Sequence, residues 1–356
     1  MKRYKNILVY ALVNLGDVVL TTAATALLRR AYPEARITMM VRPVVKDAVM
    51  GSPVIDEVIV FDYRPRENSF GAMWRMVKEL RSRHFDLAVS YDRKLRPALL
   101  AFLAGIPERI GPRRVFDDKP SRVTWLYTRT APVTHDLDNT LQAETYMTIA
   151  RSVTGEAGTA LPAIAPPLEH DKAAAEKLLA QLPTAKKIIA LCVKGTFPLK
   201  TWPKEYFGAV VRALAEKYDA AFFVVGAPGD REYSDEVIAE MGEARVLNYC
   251  GDTTLRSLAA VLSRVDLFLT VDTGAAHIAA TTGVPMVVVY GCTSPNRWHP
   301  INENARVLTS NEPCCPCHYA ADACPSAPKP DCLWHVTPEQ AIVECSAFLD
   351  CARQNG

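Results

Sequence analysis

A chain of 356 residues, 49% hydrophobic and 22% charged, has the make-up of a soluble globular protein with room for two domains. Its 41 Lys plus Arg against 39 Asp plus Glu give none of the basic excess that broad nucleic-acid binding needs. No apolar run reaches the ~20 residues that span a bilayer, and the opening MKRYKNILVYALV lacks a small-residue cleavage site. The expectation is a cytoplasmic protein, with any membrane contact peripheral.

The first half alternates strands near 6–12, 36–41, 56–61 and 86–91 with helices near 17–32, 69–83 and 95–104, and a further helix near 139–153. Its opening is a βαβ unit whose first turn is Asn14-Leu15-Gly16-Asp17. Only Gly16 is present there, so the turn is not a G-x-G-x-x-G dinucleotide fingerprint. Asp17 suits a helix cap. Arg42, Arg93, Lys94 and Arg113 fall near strand ends, where cations would favour a ligand bearing carboxylates or phosphates. Each of them singly also fits a solvated surface. His135-Asp136-Leu137-Asp138 imitates a D-x-D metal motif but precedes a helix, where capping is the better reading, so no catalytic metal is assigned.

Residues 155–170 are rich in Gly, Pro and Ala without period and read as an interdomain linker. Strands near 186–193, 220–226, 266–271 and 284–290 then alternate with helices near 204–218, 230–241, 254–264 and 275–282. Alternation of this kind implies α/β domains with doubly wound parallel sheets.

The most informative stretch is VDTGAAHIAATTGVPMVVVYGCTSPNRWHP, residues 271–300. It reads strand, tight turn, small-residue helix, strand, tight turn. Two loops therefore open side by side at the C-terminal edge of a parallel sheet, where such sheets bind ligands. The helix start favours an anion, and Gly274 lets a phosphate approach the backbone. Asp272 offers acceptors to sugar hydroxyls, while Thr273 and His277 offer hydrogen-bond donors. Turn geometry alone also accounts for Asp-Thr-Gly, and His277 also suits a core position.

The same string resembles the C-terminal signature of glycosyltransferase family nine, the ADP-heptose:lipopolysaccharide heptosyltransferases: Asp272, Thr273, Gly274, His277, Ala279, Ala280, Gly283, Pro285, Gly291 and Thr293. The Gly16-Asp17 opening and the Lys200-x-Trp202-Pro203 string are similar to that family as well. The resemblance implies a GT-B architecture of two Rossmann-like domains facing a cleft. It gives 1–160 as acceptor-binding domain, 171–337 as nucleotide-sugar domain, and a helix in 338–356 crossing back to the first. It implies an inverting, metal-independent transfer of heptose from ADP-L-glycero-β-D-manno-heptose to inner-core lipopolysaccharide, on Kdo or a heptose.

On that reading Asp17 is the catalytic base and Lys200 faces the diphosphate. Gly16, Lys194, Asp230, Asp272, Thr273, Gly274, His277 and Thr293 complete the donor site, and Arg42, Arg93, Lys94 and Arg113 take the acceptor. The family's acid after its Gly-Gly-Pro strand end falls here on Asp230, or on Glu232 if the register shifts. A sugar-nucleotide epimerase or hydrolase of the same fold, or a non-catalytic nucleotide-sugar-binding protein, is the alternative. The Cys-rich loop 314–332 offers Cys314, Cys317, Cys324 and Cys332, with Cys315 extra, as a structural zinc or iron site, and His318 or His335 as substitutes. No cofactor is expected for catalysis.

Overall fold

Each half of the chain builds one six-stranded, wholly parallel sheet. The computed structural model describes residues 3–62, 70–115, 118–133, 136, 139–242, 244–317, 324 and 329–351. The chain divides into two units, Met1–Pro166 and Pro167–Gly356.

In the first unit the strands are β1 (Asn6–Ala11), β2 (Arg36–Val41), β3 (Glu57–Val60), β4 (Leu87–Ser90), β5 (Glu108–Pro112) and β8 (Arg129–Ala131). Their order is β3-β2-β1-β4-β5-β8. A short antiparallel pair, β6 (Arg114–Val115) and β7 (Lys119–Pro120), stands apart. The helices are α1 (Leu15–Ala31), α2 (Lys46–Val49), α3 (Phe70–Ser82), α4 (Leu95–Leu103) and α5 (Gln142–Thr154). Strands β1 and β2 are apolar and buried almost throughout, as strands covered on both faces must be. Helix α1 is buried along most of its length and packs on α5. Its Thr21, Thr22 and Thr25 hydroxyls can be buried because each donates to a carbonyl one turn back.

The second unit repeats the plan. Its strands are β9 (Lys187–Cys192), β10 (Ala220–Val224), β11 (Val246–Asn248), β12 (Leu267–Val271), β13 (Met286–Val289) and β14 (Ala305–Leu308), in the order β11-β10-β9-β12-β13-β14. The helices are α6 (Glu169–Leu179), α7 (Lys204–Lys217), α8 (Arg231–Ala239), α9 (Leu255–Leu262), α10 (Gly274–Ala280), α11 (Pro295–Trp298), α12 (Asp331–Trp334) and α13 (Pro338–Cys351). In both sheets the strand order reverses beside the first strand of the unit. Loops leaving β1 and β4, and those leaving β9 and β12, therefore open next to one another.

The stretch 155–166 is bonded to the first unit. Ala163 N–H donates to Thr22 Oγ1 and Ala165 N–H to the Ala48 carbonyl, while the Arg151 guanidinium binds the Gly158 carbonyl. These bonds tie the stretch to the first unit, and the boundary falls at Pro166–Pro167. The final helix packs within the second unit. Ala341, Cys345 and Leu349, spaced four apart, form a buried stripe in the second unit's core, and α13 packs on α7 and against β12–β14.

Candidate functional site

The second unit gathers most of the expected donor residues at the switch point of its sheet. Lys200 follows β9 and Asp272 ends β12, and these strands are neighbours. The Lys200 Nζ lies 2.5 Å from Asp272 Oδ2, and Thr293 Oγ1 donates to the same oxygen at 2.6 Å. Lys200 and Asp272 side chains are only 15% and 6% exposed, so water screens the pair weakly. Asp272 is thus held by one cation and one hydroxyl, each from a different strand-end loop.

The local chain makes this approach possible. A Cβ at Gly195 would come within 2.5 Å of the Lys200 carbonyl oxygen, so only glycine lets the loop after β9 fold back on itself. A Cβ at Gly291 would meet Leu333 and the Leu199 carbonyl. Trp202 is fully buried, and its Nε1–H donates to the Val336 carbonyl at 2.9 Å, which anchors the segment carrying Lys200.

Lys194 and Asp230 form a second ion pair, 3.1 Å apart. Asp230 also accepts from the Ala227 N–H at 2.9 Å, so one carboxylate both closes the turn after β10 and holds Lys194. Glu232 lies in the first turn of α8.

Gly274 opens α10, with Thr273 as its extended N-cap residue. His277 is 4% exposed. Burial, with a smaller push from Lys200 and His299, lowers its pKa to about 4, against the pull of Asp272. It is therefore a neutral imidazole at physiological pH. Among the described residues its Nδ1 has no hydrogen-bond partner. An unsatisfied buried nitrogen costs about 1–3 kcal/mol, a cost that a ligand could relieve. The low pKa also predicts a stability effect. The unfolded chain takes up the His277 proton near pH 6.5 and the folded chain only near pH 4. Stability should thus fall as pH drops through that window, by about 2 kcal/mol between pH 7 and pH 5. Denaturant unfolding of wild type and His277→Gln at both pH values checks this: equal pH dependence in the two proteins would refute it.

Two residues that the sequence reading passed over lie in the same region. His299 shares the electrostatic environment of His277, and its Nδ1–H donates to the Pro300 carbonyl at 2.6 Å. Arg297, on α11, is 1% exposed, with its guanidinium 5.2 Å from the Trp298 ring centroid.

The first unit forms its own polar cluster around Asp17. The N-cap residue of α1 is Asn14, so Asp17 is not the cap; it sits in the first turn. The Tyr146 hydroxyl, from α5, donates to Asp17 Oδ1 at 2.6 Å. The Tyr146 ring meets Tyr91 edge-on at 5.7 Å. Arg93 is exposed as a residue, and partial enclosure of its guanidinium lowers its pKa, while Tyr146, Asp92 and Asp17 oppose that shift by favouring its charged form. Tyr146 belongs to a helix that reads only as one more amphipathic element, so nothing in the sequence marks it out. Lys94 is exposed, and its N–H bonds to Asp92 Oδ1; Arg113 is exposed too. Arg42 departs from the expected acceptor set. It is 6% exposed, and its Nη1 donates to Asn14 Oδ1 and the Val13 carbonyl, bracing the turn that carries Gly16 and Asp17.

The four cysteines expected to hold a metal sit in unlike surroundings. Cys314 is exposed and Cys332 buried. It is Cys315 that hydrogen-bonds Cys332 and Cys314, and the bond to Cys332 together with burial raises its pKa. His335 pairs with Glu312 instead, at 2.5 Å. Among the described residues no group of three or more Cys, His, Asp or Glu is placed to hold a metal ion. His318, and His135, Leu137 and Asp138 of the D-x-D string, lie outside the described residues.

Comparison with known proteins gives the family. The sequence profile of glycosyltransferase family 9 (heptosyltransferase) matches residues 73–327, well over half of the chain. The chain belongs to glycosyltransferase family 9. Lipopolysaccharide heptosyltransferase 2 of Escherichia coli K12 is 25% identical over 315 residues, covering 82% of this chain and 84% of that protein. The solved structure of E. coli ADP-heptose lps heptosyltransferase II superposes with a TM-score of 0.80 at 21% identity, over 98% and 99% of the two chains. E. coli heptosyltransferase WaaC with ADP gives 0.66 at 21% identity, over 85% and 92%. This family 9 member shares with them the GT-B fold of two Rossmann-like α/β domains. Among its described residues no helix is long and apolar enough to cross a membrane.

Proposed function

We propose that this glycosyltransferase transfers heptose from ADP-L-glycero-β-D-manno-heptose to inner-core lipopolysaccharide, with inversion and with no metal in the chemical step. The observation that carries the reading is the buried Lys200–Asp272–Thr293 cluster beside a neutral His277. A cation at a sheet switch point suits the diphosphate of a sugar nucleotide. Family membership and the ADP-heptose relatives favour this donor over other nucleotide sugars.

In the proposed reaction Asp17 accepts the proton of the acceptor hydroxyl. That oxygen attacks the anomeric carbon from the face opposite the diphosphate. The new glycosidic C–O bond forms as the bond to the diphosphate oxygen breaks, and ADP leaves with its charge matched by Lys200. One displacement needs one base and a stabilised leaving group, so no enzyme nucleophile takes part. Arg93, Lys94 and Arg113 are the cations proposed to meet acidic groups of the acceptor. Arg42 acts beneath them by holding the Asp17 turn. The proposed place of work is the cytoplasmic face of the inner membrane, as a peripheral protein.

The test is release of ADP from ADP-heptose by purified protein, with and without deacylated lipopolysaccharide carrying Kdo alone or Kdo and one heptose. ADP release that requires acceptor, persists in EDTA and transfers mass to the acceptor is the expected result. Release without acceptor would replace transfer by hydrolysis or epimerisation. Donor binding without turnover on any acceptor would reduce the protein to a binder.

A further inference from the structure

The first unit carries an aromatic and basic patch that neither its core nor the site above uses. Leu95, Leu99 and Phe102 recur at helical spacing along one face of α4. Leu95 is 51% exposed and Phe102 44%, while Leu99 is half-buried against Ala98, Val123, Leu126 and Tyr127. Trp125, 67% exposed, stands edge-on to Phe102 at 6.2 Å and extends the stripe. The Arg109 guanidinium lies 5.4 Å from the Phe102 ring centroid, and Arg122 is exposed three residues before Trp125. Single exposed apolar side chains are ordinary, but a contiguous Leu-Leu-Phe-Trp stripe bordered by arginines is not.

Charge identifies the occupant. Leaving out Arg93, Lys94 and Arg113 of the proposed acceptor site, residues 93–125 still hold five Lys and Arg against three Asp and Glu, whereas the chain outside 93–125 is net acidic. We infer that this α4–Trp125 face docks on an anionic phospholipid bilayer. Trp and Phe favour the headgroup boundary, and each basic residue near an anionic surface adds about 1 kcal/mol. A second copy of this chain fits poorly, because self-pairing would bring the same arginines together. Position agrees with use. Helix α4 starts just after the Asp92–Arg93 turn beside Asp17, and Phe102 lies about 10 Å further along its axis than Leu95. A lipid-anchored acceptor would then present its sugars near Asp17 while the far end of α4 rests on the headgroups. The functional use of the face rests on the transfer reading above; the binding itself does not.

The experiment is co-sedimentation of the full-length protein with vesicles of phosphatidylethanolamine and phosphatidylglycerol, and with phosphatidylcholine vesicles, without donor or acceptor. Wild type should bind the anionic vesicles, less so at high salt, and Phe102→Ser/Trp125→Ser and Arg122→Glu should weaken binding about tenfold or more. Unchanged melting temperature of these surface variants confirms that the fold is intact. Their transfer to deacylated acceptor should match wild type, while transfer to acceptor embedded in vesicles should fall. Wild type that ignores anionic vesicles, or variants that bind them equally well, would overturn the inference. So would a dimer in analytical ultracentrifugation that the double substitution dissolves, since the face would then belong to a second copy. Vesicle binding with no sugar transfer would sink the transfer reading and leave the docking face standing.

Discussion

Asp17→Asn is expected to lower turnover by ~10² to 10⁴-fold, the usual contribution of a positioned base, with donor affinity and melting temperature close to wild type. Asparagine keeps the size of the side chain and an oxygen to accept the Tyr146 hydroxyl, and loses only the ability to take a proton. The substitution therefore isolates proton transfer from packing. Asn14, not Asp17, is the N-cap residue of α1, so a stability effect is not expected. Tyr146→Phe adds a second reading of the same site. The phenol O–H, its oxygen 2.6 Å from Oδ1, fixes the carboxylate rotamer. Without it, kcat should fall about tenfold, on the scale of one charge-assisted hydrogen bond, with KM little changed. A purely structural tyrosine would lower stability and leave kcat where it was. Asp17→Asn with near wild-type turnover would return Asp17 to a structural role.

The sequence shows where long apolar strands and amphipathic helices lie, because those elements are buried over several turns or residues at fixed periods. The strands it hides are short or polar. β5 is Glu-Arg-Ile-Gly-Pro, β8 is Arg-Thr-Ala and β11 is Val-Leu-Asn; β8, β11 and β14 lie at sheet edges, where little burial is demanded. The site is legible as a set of residues and not as a set of pairs. Lys200 and Asp272 each stand in a recognisable string, but their contact depends on β9 lying beside β12, a strand order that periodicity does not carry. Tyr146 reaches Asp17 across 129 residues for the same reason. Arg42 shows the opposite limit. A cation after a strand reads as a ligand-binding group, and only burial reveals it as the brace of the Asp17 turn. The cysteines show a third. Spacing suggests four metal ligands, yet Cys315, outside that set, is the thiol that meets both Cys332, packed in the core with α12, and the exposed Cys314.

Lys200→Met should reduce turnover by ~10² to 10³-fold, the scale of losing one group that stabilises developing charge in a water-poor site. Methionine keeps the length and packing of the side chain and removes the ammonium. Lys200→Arg keeps a charge but not its shape, and should fall between the two. A loss of stability accompanies Lys200→Met, because Asp272 is left buried with Thr293 as its remaining partner of this cluster. Thermal unfolding measured beside turnover separates that loss from the catalytic one. The informative variant is the double substitution Lys200→Met/Asp272→Asn. If Asp272 serves mainly to aim Lys200, removing the carboxylate costs nothing further once the ammonium is gone, and the double variant should turn over no more slowly than Lys200→Met alone. It should also be the more stable of the two, since no unpaired carboxylate remains buried. If Asp272 instead binds a donor hydroxyl in its own right, the two losses should multiply. Lys200→Met with wild-type turnover and donor affinity would remove the diphosphate from this switch point, and the Lys194–Asp230 pair, 3.1 Å apart on the neighbouring loops, would be the next place to test.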